Sequence, residues 1–131
     1  MKSRYYSTFL MLFLMMFVAN IASARAVIVL SEDKADYVQT DNSYTLNFDI
    51  EGTENDISLI NSRAEPMKDK MSLSTKKIRD GLYEAVFIAK DNNTAENVKK
   101  MLMMCGFQVV KHKGKTYGLS QIIDILKSYQ E

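Results

Sequence analysis

Residues 82–110, LYEAVFIAKDNNTAENVKKMLMMCGFQVV, read as a strand, a capped helix and a second strand, and this unit decides the fold class. Stretch 82–90 is rich in aromatic and branched residues and has no Gly or Pro, as a largely buried strand requires. Asp91, Asn92 and Asn93 end it. Asn93 with Glu96 three residues on has the capping-box spacing, which predicts a helix over 94–105. Val98, Met101, Leu102 and Cys105 follow at i, i+3, i+4 and i+7, so they share one helix face. Gly106 suits the left-handed residue that closes a helix, and Phe107 resumes an extended pattern over 107–111. A strand, helix and strand so closely joined normally belong to one sheet.

Working outward, residues 44–51 alternate cleanly. Tyr44, Leu46, Phe48 and Ile50 point one way and Thr45, Asn47, Asp49 and Glu51 the other, so this strand belongs to a sheet with one packed face and one open face. Tyr37 to Thr40 can pair with it as a hairpin across the 41–43 turn. Gly52 and Thr53 break the strand, and 54–63 reads as a helix capped by Thr53, with Ile57, Leu59 and Ile60 inward and Pro66 beyond its end. Stretch 71–76 is a strand with Met71, Leu73 and Thr75 on one side, and 76–81 turns the chain into 82–90. The aliphatic run at 27–30 reads as an extended lead-in or an edge strand. Residues 111–118 read as a loop, and 121–129 as a last helix capped by Ser120, carrying Ile122, Leu126 and Tyr129 with Ile123 and Ile125 beside them.

The core order is therefore β-α-β-β-α-β. It predicts an α+β, ferredoxin-like sandwich with a four-stranded antiparallel sheet, two helices on one face, and an extra C-terminal helix free to cover an edge or the open face.

Residues 1–26 have the layout of an export signal: Lys2 and Arg4, an apolar run over 9–18, then small residues with cleavage sites after Ala24 and Ala26. The run is short of the roughly 20 residues that span a bilayer, so cleavage rather than anchoring is expected, with no stable membrane span afterwards. No cysteine near the cleavage region supports a lipid anchor. The expected division is a signal at 1–26, an N-terminal extension at 27–43 and one domain at 44–131, exported to a periplasm or secreted. Cleavage leaves 15 basic residues, or 14 if Arg25 is also removed, against 16 acidic ones. That balance gives no electrostatic case for nucleic acid. Cys105 is the only cysteine, so the fold stands without an internal disulfide, and its place on the apolar helix face marks it as a packing residue.

From 43 to 110 the chain resembles the heavy-metal-associated, copper-chaperone-like domain. Phe48-Asp49-Ile50-Glu51-Gly52 looks like that family's first strand and the glycine opening its metal loop, and 83–110 looks like its third strand, second helix and last strand. The resemblance implies the ferredoxin-like fold. Where the family carries Cys-x-x-Cys, this loop reads Thr53-Glu54-Asn55-Asp56-Ile57-Ser58, so the metal motif is absent. Residues 82–106 also resemble one half of the SPOR peptidoglycan-binding domain.

Four constellations carry chemistry. Met101, Met103, Met104 and Cys105 offer soft sulfur ligands of the kind Cu(I) prefers, although Met101 and Cys105 also belong to the packing face. Lys111, His112, Lys113 and Lys115 are candidates for contact with an anion or acidic partner, against the plainer reading of a solvated basic loop. Asp49, Glu51, Glu54 and Asp56 cluster at a strand-to-helix turn without calcium-loop spacing or a nucleophile and base, and helix-start electrostatics account for them. Asn92-Asn93-Thr94 matches a glycosylation acceptor. No catalytic set, cofactor site or metal site follows. The sequence reads as an exported binding or interaction module for an unknown protein or cell-envelope partner. The alternatives are a Cu-handling protein using Met and Cys, or a SPOR-like wall binder.

Overall fold

The computed structural model describes residues 26–40, 42–90 and 94–129. The signal segment up to residue 25 and the Asn92-Asn93 acceptor positions lie outside them. The described residues form an α+β structure with a mixed sheet and three α-helices, and no helix among them is long and apolar enough to cross a membrane.

Strand β1 is Val27–Leu30, β2 Tyr37–Gln39 and β3 Ser43–Glu51. Helix α1 is Glu54–Ala64, followed by β4, Met71–Arg79, and β5, Leu82–Lys90. Helix α2 is Ala95–Met104, β6 Val109–His112, β7 Lys115–Gly118, and α3 Ile122–Ser128. The sheet runs β4-β5-β3-β1-β6-β7, with β2 also paired to β3.

Seven strands replace the expected four among the described residues. The strands foreseen at 44–51, 71–76, 82–90 and 107–111 are present as β3, β4, β5 and β6, and the sheet grows in two places. The stretch at 27–30 is neither lead-in nor edge: β1 lies between β3, to which it is antiparallel, and β6, to which it is parallel. An uninterrupted Val-Ile-Val-Leu run suits a strand with a neighbour on either side. The stretch at 111–118 is not a loop but the β6–β7 hairpin. Its two-residue turn, Lys113-Gly114, has φ of 53° and 76°, the positive pair that a type I′ turn uses to match strand twist.

One sheet face is packed. Tyr44, Leu46, Phe48 and Ile50 of β3 line up across the register with Ala89, Phe87, Ala85 and Tyr83 of β5, and all are buried. Ile28, Leu30 and Val110 continue that face. Against it lie Ile57, Ile60 and Ala64 of α1, Val98 and Leu102 of α2, and Ile122, Ile123 and Leu126 of α3. The third helix thus joins the helix layer beside α2 on the packed face, and not on the open one.

Local corrections have local causes. Leu59, expected inward, is exposed, because Ile57, Ile60 and Ala64 at i, i+3 and i+7 set the stripe and Leu59 lies off it. The α2 cap is Thr94, accepting from the Asn97 amide, so Ala95 becomes the first helical residue and is buried. Ser120 does not cap α3; it sits inside a 3₁₀ turn, Leu119–Gln121, that leads into the helix. Thr53 caps α1 as expected, and with Asp56 it completes a capping box. The Thr53–Ser58 loop is thereby committed to starting a helix.

Candidate functional site

The uncovered face of the sheet is where side chains are left unpacked by the fold. Alternation places Thr45, Asn47, Asp49 and Glu51 of β3 there, beside Glu84 and Val86 of β5 and Val29 of β1. β1 and β2 run along the same edge of β3, β1 against residues 48–51 and β2 against 44–46, with residues 31–36 looping out between them. That interruption opens a cleft in the sheet face. Its lining includes Val29, Ser31, Asp36, Asn47, Asp49, Glu84 and Val86.

Three carboxylates therefore share one depression. Asp49 and Glu84 are direct cross-strand partners, and Asp36 arrives from the excursion, its Oδ1 3.5 Å from Asn47 Nδ2. Partial burial, helped by the negative charge of Glu84 and Asp36, raises the Asp49 pKa, and Arg79 works against the rise. The flanks are aliphatic, at Val29 and the exposed Val86. Every Tyr or Phe of β3 and β5 points to the packed side, so these two strands offer no stacking platform for bases.

Of the acidic residues expected to cluster, only Asp49 faces the cleft. Glu51 pairs with Lys111 at 2.9 Å, Glu54 with Lys77 at 2.9 Å, and Asp56 belongs to the helix cap. Asp36 and Glu84 were not foreseen. Glu84 was readable as the open-face neighbour of Asp49 once β3 and β5 pair, whereas Asp36 depends on an excursion that no local signal marks.

The basic group at 111–115 is divided by strand alternation. Lys111 turns to the open face and Glu51. His112 turns inward, is buried, and lines a groove against α3 with Lys113, Tyr117 and Asp124. Lys115, its cross-strand partner, is exposed. His112 Nε2 lies 2.6 Å from the Tyr129 hydroxyl, and the Tyr129 ring stacks on Tyr37 with centroids 4.3 Å apart. The Tyr37 hydroxyl donates to the Ser31 carbonyl, so one chain of contacts joins the end of α3 to the excursion that frames the cleft.

Burial, reinforced by Lys113 and opposed by Glu32, lowers the His112 pKa below its ordinary 6.5. The fold thus favours neutral imidazole. Its contribution to stability is complete above the unfolded value and is lost as pH falls through 6.5 toward the lower folded value. Denaturation midpoints are expected to fall between pH 7.5 and 5.5 in the wild type and to change less in His112→Gln. Equal pH dependence in both proteins would remove His112 as the source.

The sulfur group at 101–105 is divided as well. Cys105 is sealed in the core, and burial pushes its thiol up to about 11. Met103 and Met104 are exposed and Met101 is half-buried.

No protein-family model, curated protein or solved structure matches the chain.

Proposed function

We propose that this chain is an exported binding module that recognises a protein or cell-envelope partner through the uncovered face of its sheet, acting by association and not by turnover. What carries the reading is the cleft of Asp36, Asp49 and Glu84 with aliphatic flanks at Val29 and Val86. Its charge selects a cationic group, and its flanks select the alkyl stem or neighbour that accompanies one in a lysine- or arginine-bearing segment. On this reading the segment from β3 to β6 is a ferredoxin-like unit of the heavy-metal-associated kind, with β1 inserted between its first and last strands. The loop that holds metal in that family serves here as a helix cap. Lys111, His112, Lys113 and Lys115 are secondary candidates for an acidic part of the partner, with Lys113 and Lys115 the most available.

The test is an amide-shift titration of residues 27–131 with a short alternating Lys-Val peptide and its Glu-Val counterpart. Only the Lys peptide is expected to shift residues 29, 47, 49, 84 and 86, with the effect weakening as salt is raised. Asp49→Lys with Glu84→Lys should reduce its affinity by about tenfold or more. Shifts mapping elsewhere, or an equal response to the acidic peptide, would defeat the proposal.

A further inference from the structure

A second surface, on the helix layer and independent of the sheet-face reading, has a different chemistry. The chain leaves α1 through a 3₁₀ turn, Glu65–Met67, and turns again toward β4, with the Lys70 amide donating to the Met67 carbonyl at 2.8 Å. Between this turn and α2 lies a groove of about 340 Å³. Pro66, Met67, Met101 and Met104 supply its apolar lining. Met67 and Met101 are half-buried against the core, and Met104 is exposed. Thioether side chains adapt their shape to an apolar guest better than branched ones do.

The polar rim decides the sign of the guest. Lys70 and Lys100 both line the groove, and neither makes an ion pair among the described residues. Among the described residues Asp69 is the one acid in the lining, so two ammonium groups there face a single carboxylate and their sum is positive. The groove's volume lies at the lower end of the range for small-molecule sites. We propose that this groove between the Pro66 turn and α2 binds a small amphipathic monoanion of the medium-chain fatty carboxylate class. Its chain lies on Met67, Met101 and Met104, and its carboxylate lies between Lys70 and Lys100.

The protein labelled at its methionine methyl groups is titrated with decanoate, kept below its micelle concentration. Decanol and decyltrimethylammonium serve as neutral and cationic controls. Saturable shifts of the Met67, Met101 and Met104 methyls are expected in the millimolar range or tighter, with Met103 unmoved because it lies outside the groove. Decanoate should bind more tightly than either control. Lys70→Glu with Lys100→Glu, both at exposed positions, should weaken it by about tenfold, and the corresponding pair of arginines should retain it. Binding of the cationic amphiphile as tight as that of decanoate, or an unchanged response in the double glutamate variant, overturns the proposal. So do methyl shifts that appear on raising protein concentration alone, which would assign the groove to a second copy of the chain.

Discussion

Phe87→Ala is expected to lower the free energy of unfolding by about 3–5 kcal/mol, the usual cost of emptying an aromatic site in a packed core. Phe87 is fully buried at the centre of β5, opposite Leu46 on β3 and Leu73 on β4. Its ring is therefore held by both neighbouring strands and faces the helix layer. Small domains hold only about 5–15 kcal/mol in all, so the variant should unfold at a much lower urea concentration or fail to accumulate. Val86→Ala, one residue away on the open face, is the matched comparison, because Val86 is already 39% exposed. It should cost less than about 1 kcal/mol. Similar losses in the two variants would mean that the helices do not seat on the face that carries Phe87.

The second large effect is expected at Gly106. Its φ is +103°, and its amide donates to Met103 while the Phe107 amide donates to Leu102, the paired bonds of a Schellman closure. A Cβ added there would lie 2.3 Å from Arg63 Nη1. Gly106→Ala should cost about 1–3 kcal/mol, as forced positive-φ conformations do. Because the clashing atom is the end of a flexible side chain, Arg63→Ala in the same background should recover only a small part of the loss. Full recovery would place the cost in the clash and not in the backbone, and no loss in the single variant would mean that α2 closes in another way.

The parts of this fold that were legible in the sequence are those whose signals are local. β3 announced itself by strict alternation, α1 by Thr53, and the end of α2 by Gly106 before an aromatic residue. Of the stripe Val98, Met101, Leu102 and Cys105, Met101 is half-buried and the others are buried. What was not legible depends on partners distant in sequence. Val27–Leu30 is too short to declare whether it has one neighbour or two, and only the arrival of β6 makes it central. The β6–β7 hairpin was hidden because lysine holds the first turn position, where asparagine or aspartate usually signals such a turn. His112 looked solvated among lysines, yet strand alternation turns it inward to Tyr129. The cleft had the same difficulty: Asp49 was visible, and Asp36 reaches it only through an interruption between two strands that share one neighbour.

β1 lies inside the sheet, between β3 and β6, although it is the first strand among the described residues. Residue 27 meets residue 51 on one side and residue 109 on the other. A chain that emerges from a ribosome N-terminus first therefore has β1 in hand before β3, and must wait for residues 109–112 to supply its second neighbour. The seam between β1 and β6 therefore cannot close before residues 109–112 have been released. Such late, long-range closure is slow compared with hairpin formation and leaves aliphatic edge exposed in the meantime.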